Sequence, residues 1–333
     1  MSAELLPVPG LIEATEPPEY RGVARDAVRL LVTDRAARTH RDARFFDLPS
    51  FLRDGDLLVV NDSATIPAAI PALHADGEGL TLHVATKIDT RIWLTEPRGD
   101  VRLGEELMLP GGGSAVMIAP VEPETPRVWY TWFQLPRPMH AYLERFGEPI
   151  RYGYVSKRIP LREYQTIFAR RPGSSEMPSA ARPFTARVVA ALRERGVELA
   201  TLTLHCGVAS FEAPERPATE WFAVPGATAE AVNAARRAGR RVIAVGTTVL
   251  RALESAVVEG DVVTASGWTD LVIDDSHVLR TADGLLTGFH GVTATHQSLL
   301  RAFADRSIIE EAYDLAAAHA YRAHEFGDVH LLV

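Results

Sequence analysis

Three apolar runs in this chain end in residues with usable polar chemistry. "GDLLVVND" closes on Asn61 and Asp62, "VELATLTLHCG" on His205, Cys206 and Gly207, and "RRVIAVGTT" on Gly246, Thr247 and Thr248. The turn "WTDLVIDDSH" adds further carboxylates. An imidazole titrates near neutrality and suits proton transfer. Hydroxyls and a glycine turn at a helix mouth suit an anion such as a carboxylate. A fourth stretch, "PGSSEMPSAARPFTARVVAALRERG", runs small residues into a helix, with Thr185 as its N-cap and Gly196 as its stop. Small side chains let a ligand come close to the backbone there. The alternative is a tightly packed loop that holds nothing.

Common signatures are missing. There is no G-x-G-x-x-G after a strand, no P-loop and no H-E-x-x-H. "VIAVGTTVLRALE" runs from strand through glycine turn to helix but lacks the phosphate-neutralising lysine. His205 and Cys206 are adjacent, and adjacent strand residues face opposite sides, so they cannot form a dyad. Cys206 reads as one buried thiol. His319, His324 and His330 cluster near the end of the chain without a cysteine, and read as solvated or capping histidines rather than a zinc site.

These residues need a scaffold. "VRLLVTDR" and "GDLLVVND" are buried strands, with a short helix in "FFDLPSFLRD" between them. From residue 65 to 136 the texture is alternating, aromatic and β-branched, with Gly/Pro turns and no helical period, which is the pattern of a small antiparallel barrel or sandwich. Gly111, Gly112 and Gly113 fall there as a hairpin turn. From Arg137 onward helices and strands alternate, with "TDLVID" as one strand and "TATHQSLLRAFAD" and "IIEEAYDLAAAHAYRA" as closing helices. Such alternation implies a mixed, largely parallel sheet layered with helices. The organisation is an α/β domain of residues 1–64 and 137–333 carrying an inserted β-barrel of residues 65–136.

With 333 residues, 47% hydrophobic and 23% charged, the chain reads as an ordinary soluble protein. Its N-terminus lacks the basic start and apolar core of a signal peptide, no run spans a bilayer, and one cysteine allows no internal disulfide, so a cytoplasmic location is expected. The net charge of −8 argues against nucleic-acid binding by the surface as a whole. Arg137–Arg171 is the exception, a basic stripe that either meets phosphates or forms a solvated face paired with acids elsewhere.

The segments "RDAVRLLVTDR", "FFDLPSFLRDGDLLVVNDSATIPA", "YQTIFARRPGSSEMPSAARPFT", "LTLHCGVASF", "RRVIAVGTTVLRALES", "GWTDLVI", "ADGLLTGFH" and "AYRAHEFGDVHLLV" resemble, in order, the S-adenosylmethionine:tRNA ribosyltransferase-isomerase family of queuosine biosynthesis. The resemblance implies an α/β domain with an inserted barrel. It also implies that the ribosyl part of S-adenosylmethionine is transferred and isomerised onto a 7-aminomethyl-7-deazaguanine base in tRNA, giving epoxyqueuosine-tRNA, adenine and methionine. S-adenosylmethionine is then a co-substrate, with no metal and no further cofactor. A sulfonium acidifies the adjacent C5′ hydrogens, so a modest base suffices. On this reading His205, Glu220 and Asp62 carry the chemistry. Tyr164, Gln165, Gly173, Ser174, Pro178, Ser179, Phe184, Thr185, Gly207, Gly246, Thr247, Thr248, Glu254, Asp283, Phe289 and His290 bind substrate. Each also has an ordinary reading, as a cap, a packing residue or a core histidine.

The chain departs from the family pattern at the helix mouth. Where members read P-T-A-G-L-H-F-T it has "PSAARPFT", with Pro183 in place of the histidine and Arg182 as an added charge. Where members carry H-x-M-H-[ST]-E it has "ERPATEWFAVP", in which only Glu220 survives. The missing imidazoles and overall acidity leave two alternatives open: a related enzyme with a small-molecule acceptor, and a non-catalytic ligand-binding homologue.

Overall fold

The structure is a computed structural model and describes residues 10–208, 219–290 and 295–333. A nine-stranded sheet forms its body, in the order Ala265–Thr269, Glu220–Val224, Glu198–Leu204, Leu57–Asn61, Val242–Val245, Gly284–Gly288, Val329–Leu332, Arg29–Asp34 and Thr39–Arg44. The four strands from Glu198–Leu204 to Gly284–Gly288 run parallel, and the last of these pairs antiparallel with Val329–Leu332. The antiparallel pairs at both flanks make the sheet more evenly mixed than alternation alone implied. Leu57–Val60 and Val242–Val245 are apolar throughout because both faces of the sheet are covered. Leu57, Val59, Leu202, Val242 and Leu285 pack on one side, and Leu58, Val60, Ile243 and Leu286 on the other.

Between Ala69 and Gln134 six antiparallel strands close into a barrel. Period-two alternation fills its interior: in Trp129–Gln134, Trp129, Thr131 and Phe133 are buried while Tyr130 and Gln134 face out. The glycine run forms the turn between Glu106–Leu109 and Gly113–Pro120, as expected.

Several sequence expectations are corrected. "TDLVID" is not a strand; the edge strand is Ala265–Thr269, just before it. His324 and His330 are buried, and His330 Nε2 bonds Thr33 Oγ1 at 2.8 Å, whereas His319 does cap the helix Arg306–Ala318. Of "TATHQSLLRAFAD", the helix Thr295–Arg301 is described and residues 293–294 lie outside the described residues. No described helix is long and apolar enough to cross a membrane.

Candidate active site

The four parallel strands deliver Asn61, His205, Gly246 and Phe289 to one sheet edge, and the barrel is joined to the sheet at that same edge. Ser175 Oγ donates to Val84 O of the barrel at 2.7 Å while its N–H donates to Cys206 O. Just past Asn61, Ser63–Thr65 pairs in parallel with Arg171–Ser174, bringing the small-residue stretch beside His205.

His205 sits in a built socket. Its ring stacks on Trp221, with centroids 5.2 Å apart. Gly173 lies beneath it, and a Cβ there would come within 2.5 Å of the imidazole, so only glycine fits. Nδ1 bonds Ser63 Oγ at 2.7 Å, and Ser63 Oγ meets Ser174 Oγ at 2.6 Å. Ser174 Oγ in turn accepts the Cys206 N–H at 2.9 Å.

The direction of this chain follows from counting protons. Ser174 is fully buried, and among the described residues its hydroxyl hydrogen has one acceptor, Ser63 Oγ. Ser63 then donates to His205 Nδ1, which must be the unprotonated nitrogen. The opposite tautomer would send the Ser63 hydrogen to Arg171 O at 3.5 Å, a far weaker bond. His205 therefore carries its hydrogen on Nε2. Burial, the charge of His140 and that of Arg171 outweigh the pull of Asp62 and lower its pKa to about 4. The near-neutral titration expected of it is corrected: at pH 7 this is an uncharged N–H donor.

Asp62 accepts Thr203 Oγ1 at 2.6 Å and lies 3.9 Å from Arg171 Nε. Glu220 accepts the Gly207 N–H at 2.8 Å on one oxygen and is paired with Arg251 through the other. Both oxygens are engaged, and Glu220 fixes the Gly207 turn. Cys206 is a buried free thiol, its pKa pushed up by burial.

Beside this relay a cleft opens, lined by Thr65, Tyr164, Ser175, Ser179 and His290 among others. Pro178 begins the short helical turn that presents Ser179. Gly246, at φ +97°, turns the chain into the helix Thr247–Ser255. Thr248 Oγ1 lies 3.5 Å from Asn61 Nδ2, at the same edge.

Other residues expected at the site also hold the fold together. Gln165 bonds both backbone groups of Thr65. Phe184 packs between Phe45 and Phe168, and Phe289 against Tyr313, Tyr321 and His330. Thr185 caps its helix and donates to Asp26. Glu254 holds the backbone of Arg280 and Thr281, and Asp283 accepts the Val242 N–H at the opposite, amino edge of the sheet. Glu254 and Asp283 thus stand away from the crevice. Arg182 adds no free charge; it is buried, stacked on Phe326 and bonded to Glu19 and Glu163. Pro183 lines a small recess beyond Ser179, with Arg25 and Asp328 among its walls. Residues 215–218 of "ERPATEWFAVP" lie outside the described residues.

The residues missed from sequence are Ser63, Trp221, Tyr152, Tyr154, Glu176 and Glu325, which join the relay or line the larger cleft. The Tyr-Gly-Tyr of "RYGYV" and the Glu of "AHEFGD" were visible signals.

A mixed α/β sheet with a closed barrel docked at the carboxyl ends of its parallel strands, and a polar crevice between, defines a recognisable class of enzyme scaffold. The family described as "Queuosine biosynthesis protein" matches residues 7–332, and this chain belongs to it. The chain is 37% identical over 326 residues to an S-adenosylmethionine:tRNA ribosyltransferase-isomerase of Moorella thermoacetica, covering 93% of this chain and 94% of that protein. It is 39% identical over 324 residues to one from Thermus thermophilus, covering 93% of each. A crystal structure of S-adenosylmethionine tRNA ribosyltransferase from Thermotoga maritima aligns with TM-score 0.56 at 29% identity, covering 99% of this chain and 98% of that one.

Proposed function

We propose that this protein transfers and isomerises the ribosyl portion of S-adenosylmethionine onto a 7-aminomethyl-7-deazaguanine base in tRNA, releasing adenine and methionine. Full-length similarity to relatives named for that activity is the observation that carries the reading. These relatives are named for tRNA, and they lend no support to a small-molecule acceptor. S-adenosylmethionine is consumed as co-substrate. In this reading residues 65–136 are an inserted domain within an α/β domain of residues 1–64 and 137–333, and the protein works in the cytoplasm.

His205 acts here as a neutral donor. Its Nε2–H supports negative charge developing on the departing adenine, at a site where a charged imidazolium would be disfavoured. Ser63 and Ser174 hold the ring in that tautomer and so are positioning residues. Trp221 and Gly173 fix its plane. Arg137, Arg145, Lys157, Arg158 and Arg170 are exposed and belong to the stripe offered to tRNA phosphates, although Arg158 also pairs with Glu148 and Lys157 with Glu16.

The test is incubation with S-adenosylmethionine and tRNA carrying the aminomethyl base, following adenine by chromatography and the tRNA by mass spectrometry. Adenine release that requires the tRNA, with the ribosyl mass appearing on it, is expected. Adenine release indifferent to tRNA would overturn the acceptor, and binding without release would leave a ligand-binding homologue.

A further inference from the structure

Several hydrogen-bonding atoms in the walls of the cleft beside the relay already have partners. Tyr152 Oη donates to Glu176, and Tyr154 Oη donates to Glu325. Thr65 Oγ1 donates to Tyr164 O and Ser175 Oγ to Val84 O, each at 2.7 Å. Two buried atoms of the same walls have none. Tyr164 is 3% exposed and His324 6%, and neither Tyr164 Oη nor His324 Nε2 has a hydrogen-bond partner among the described residues. Glu13 Oε1 stands 3.9 Å from that nitrogen, out of hydrogen-bond reach. His324 belongs to the walls of both the cleft and the recess beyond Ser179. Its ring is firmly held, stacked on Tyr154 with centroids 4.2 Å apart and planes 13° from parallel. Its backbone sits at φ +73°, a left-handed setting that costs energy for any residue with a side chain. The His324 N–H donates to Phe289 O and its carbonyl accepts the Gly327 N–H, both at 3.0 Å, which fixes that setting. Burial, with the charge of His290 adding to it, lowers the His324 pKa to about 4, so the ring is uncharged at neutral pH.

A buried polar atom left unmatched in a cleft wall awaits a ligand atom. Here there are two, on an uncharged imidazole and a phenol, side chains that can each donate or accept. The lining includes two carboxyls and no Lys or Arg, which disfavours a phosphate or the methionine carboxylate. Uncharged contacts in an aromatic wall suit the edge of a flat heterocycle, where a donor lies beside an acceptor. We infer that His324 and Tyr164 together read the polar edge of a purine or 7-deazapurine base, which makes His324 a binding and specificity residue. Two parts of the reaction carry such an edge, the adenine of the nucleoside and the aminomethyl base of the tRNA. The inference rests on the proposed function for the identity of that base, while the unmatched pair stands without it.

His324→Phe keeps a ring on Tyr154 and removes its nitrogens, and Tyr164→Phe removes one oxygen. Calorimetry on the intact protein uses adenine in one arm and 7-aminomethyl-7-deazaguanine in the other. The double variant should bind one base at least about tenfold more weakly and the other within about twofold, with each single variant in between. Loss confined to the first arm assigns the nucleoside, and loss confined to the second assigns the tRNA base. Should His324→Phe fail to fold, Tyr164→Phe alone carries the same comparison. Its Tm should hold or rise, because the atom removed has no partner in the free protein. Unchanged affinities, a similar loss in both arms, or no binding of either base to the parent protein overturns the inference. So does a fall in Tm of more than about 3 °C in Tyr164→Phe, which would mean that its hydroxyl was matched all along. Adenine release, measured separately, reports on the proposed function. Turnover without a base-selective loss sinks this inference alone, and a base-selective loss without turnover sinks the function alone.

Discussion

Two glutamates in this molecule are treated in opposite ways. On the outer face of the barrel, where His83 meets Tyr152, Glu96 is fully buried, and burial alone would raise its pKa. His83 at 3.0 Å, Arg127 at 2.7 Å and Arg98 at 3.3 Å overcome that and bring it to about 2. At the sheet edge, burial dominates at Glu325 and raises its pKa. Cations outweigh burial at Glu96, whereas burial outweighs the bond from Tyr154 and the pull of Arg182 at Glu325.

The largest effect expected from this contrast is at Glu96. Glu96→Ala leaves its buried partners uncompensated and should cost about 3–5 kcal/mol in denaturant unfolding. A loss under about 1 kcal/mol would mean the network is wetter than the structure shows. Because its folded pKa lies below the ordinary value of 4.5, Glu96 stabilises the fold above that pH. The advantage over Glu96→Gln should fade as pH falls from 4.5 toward 2.

At the relay, His205→Ala should lower adenine release at least about tenfold with little change in thermal stability. The ring stays neutral down to about pH 4, so the His205 contribution to the pH–rate profile should be flat from about pH 5 to 8 and lost only in more acid solution. A limb near the unperturbed imidazole value of about 6.5 that vanishes in the variant would contradict the socket. Ser63→Ala should lower turnover less, but ¹⁵N spectra of labelled histidine should show Nδ1 gaining hydrogen. An unchanged tautomer there would break the proton count.

Glu325→Gln should do the reverse of the barrel substitution and raise Tm at neutral pH, by roughly 1–3 °C, since it removes a charge that burial penalises. A fall in Tm would show that the fold does compensate it. Smallest of all, Arg137→Ala or Arg170→Ala should weaken tRNA binding a few-fold, lowering the log–log salt slope by about one for each phosphate no longer neutralised.

The barrel was legible because alternation in runs such as "WYTWFQ" has only one buried face to fill. The crevice edge was legible too, since strand ends can be read from apolar runs. What that reading lacked was depth. The His205 titration depends on Trp221 and Gly173, separate segments that only the fold brings against it. Asp283 precedes its strand by one residue, and so falls at the wrong edge, a matter of direction that composition does not reveal. Glu254, expected to meet substrate, anchors the loop at Arg280 and Thr281.

Gly173 has a consequence of its own. Any methyl placed there would push against the imidazole and evict it from its seat while leaving every functional side chain in the sequence. The reactive ring is thus governed by an absence of atoms, and surveys that truncate side chains to alanine would find at that locus only an addition. Its importance would surface as an inactive protein whose every recognised functional group is still present.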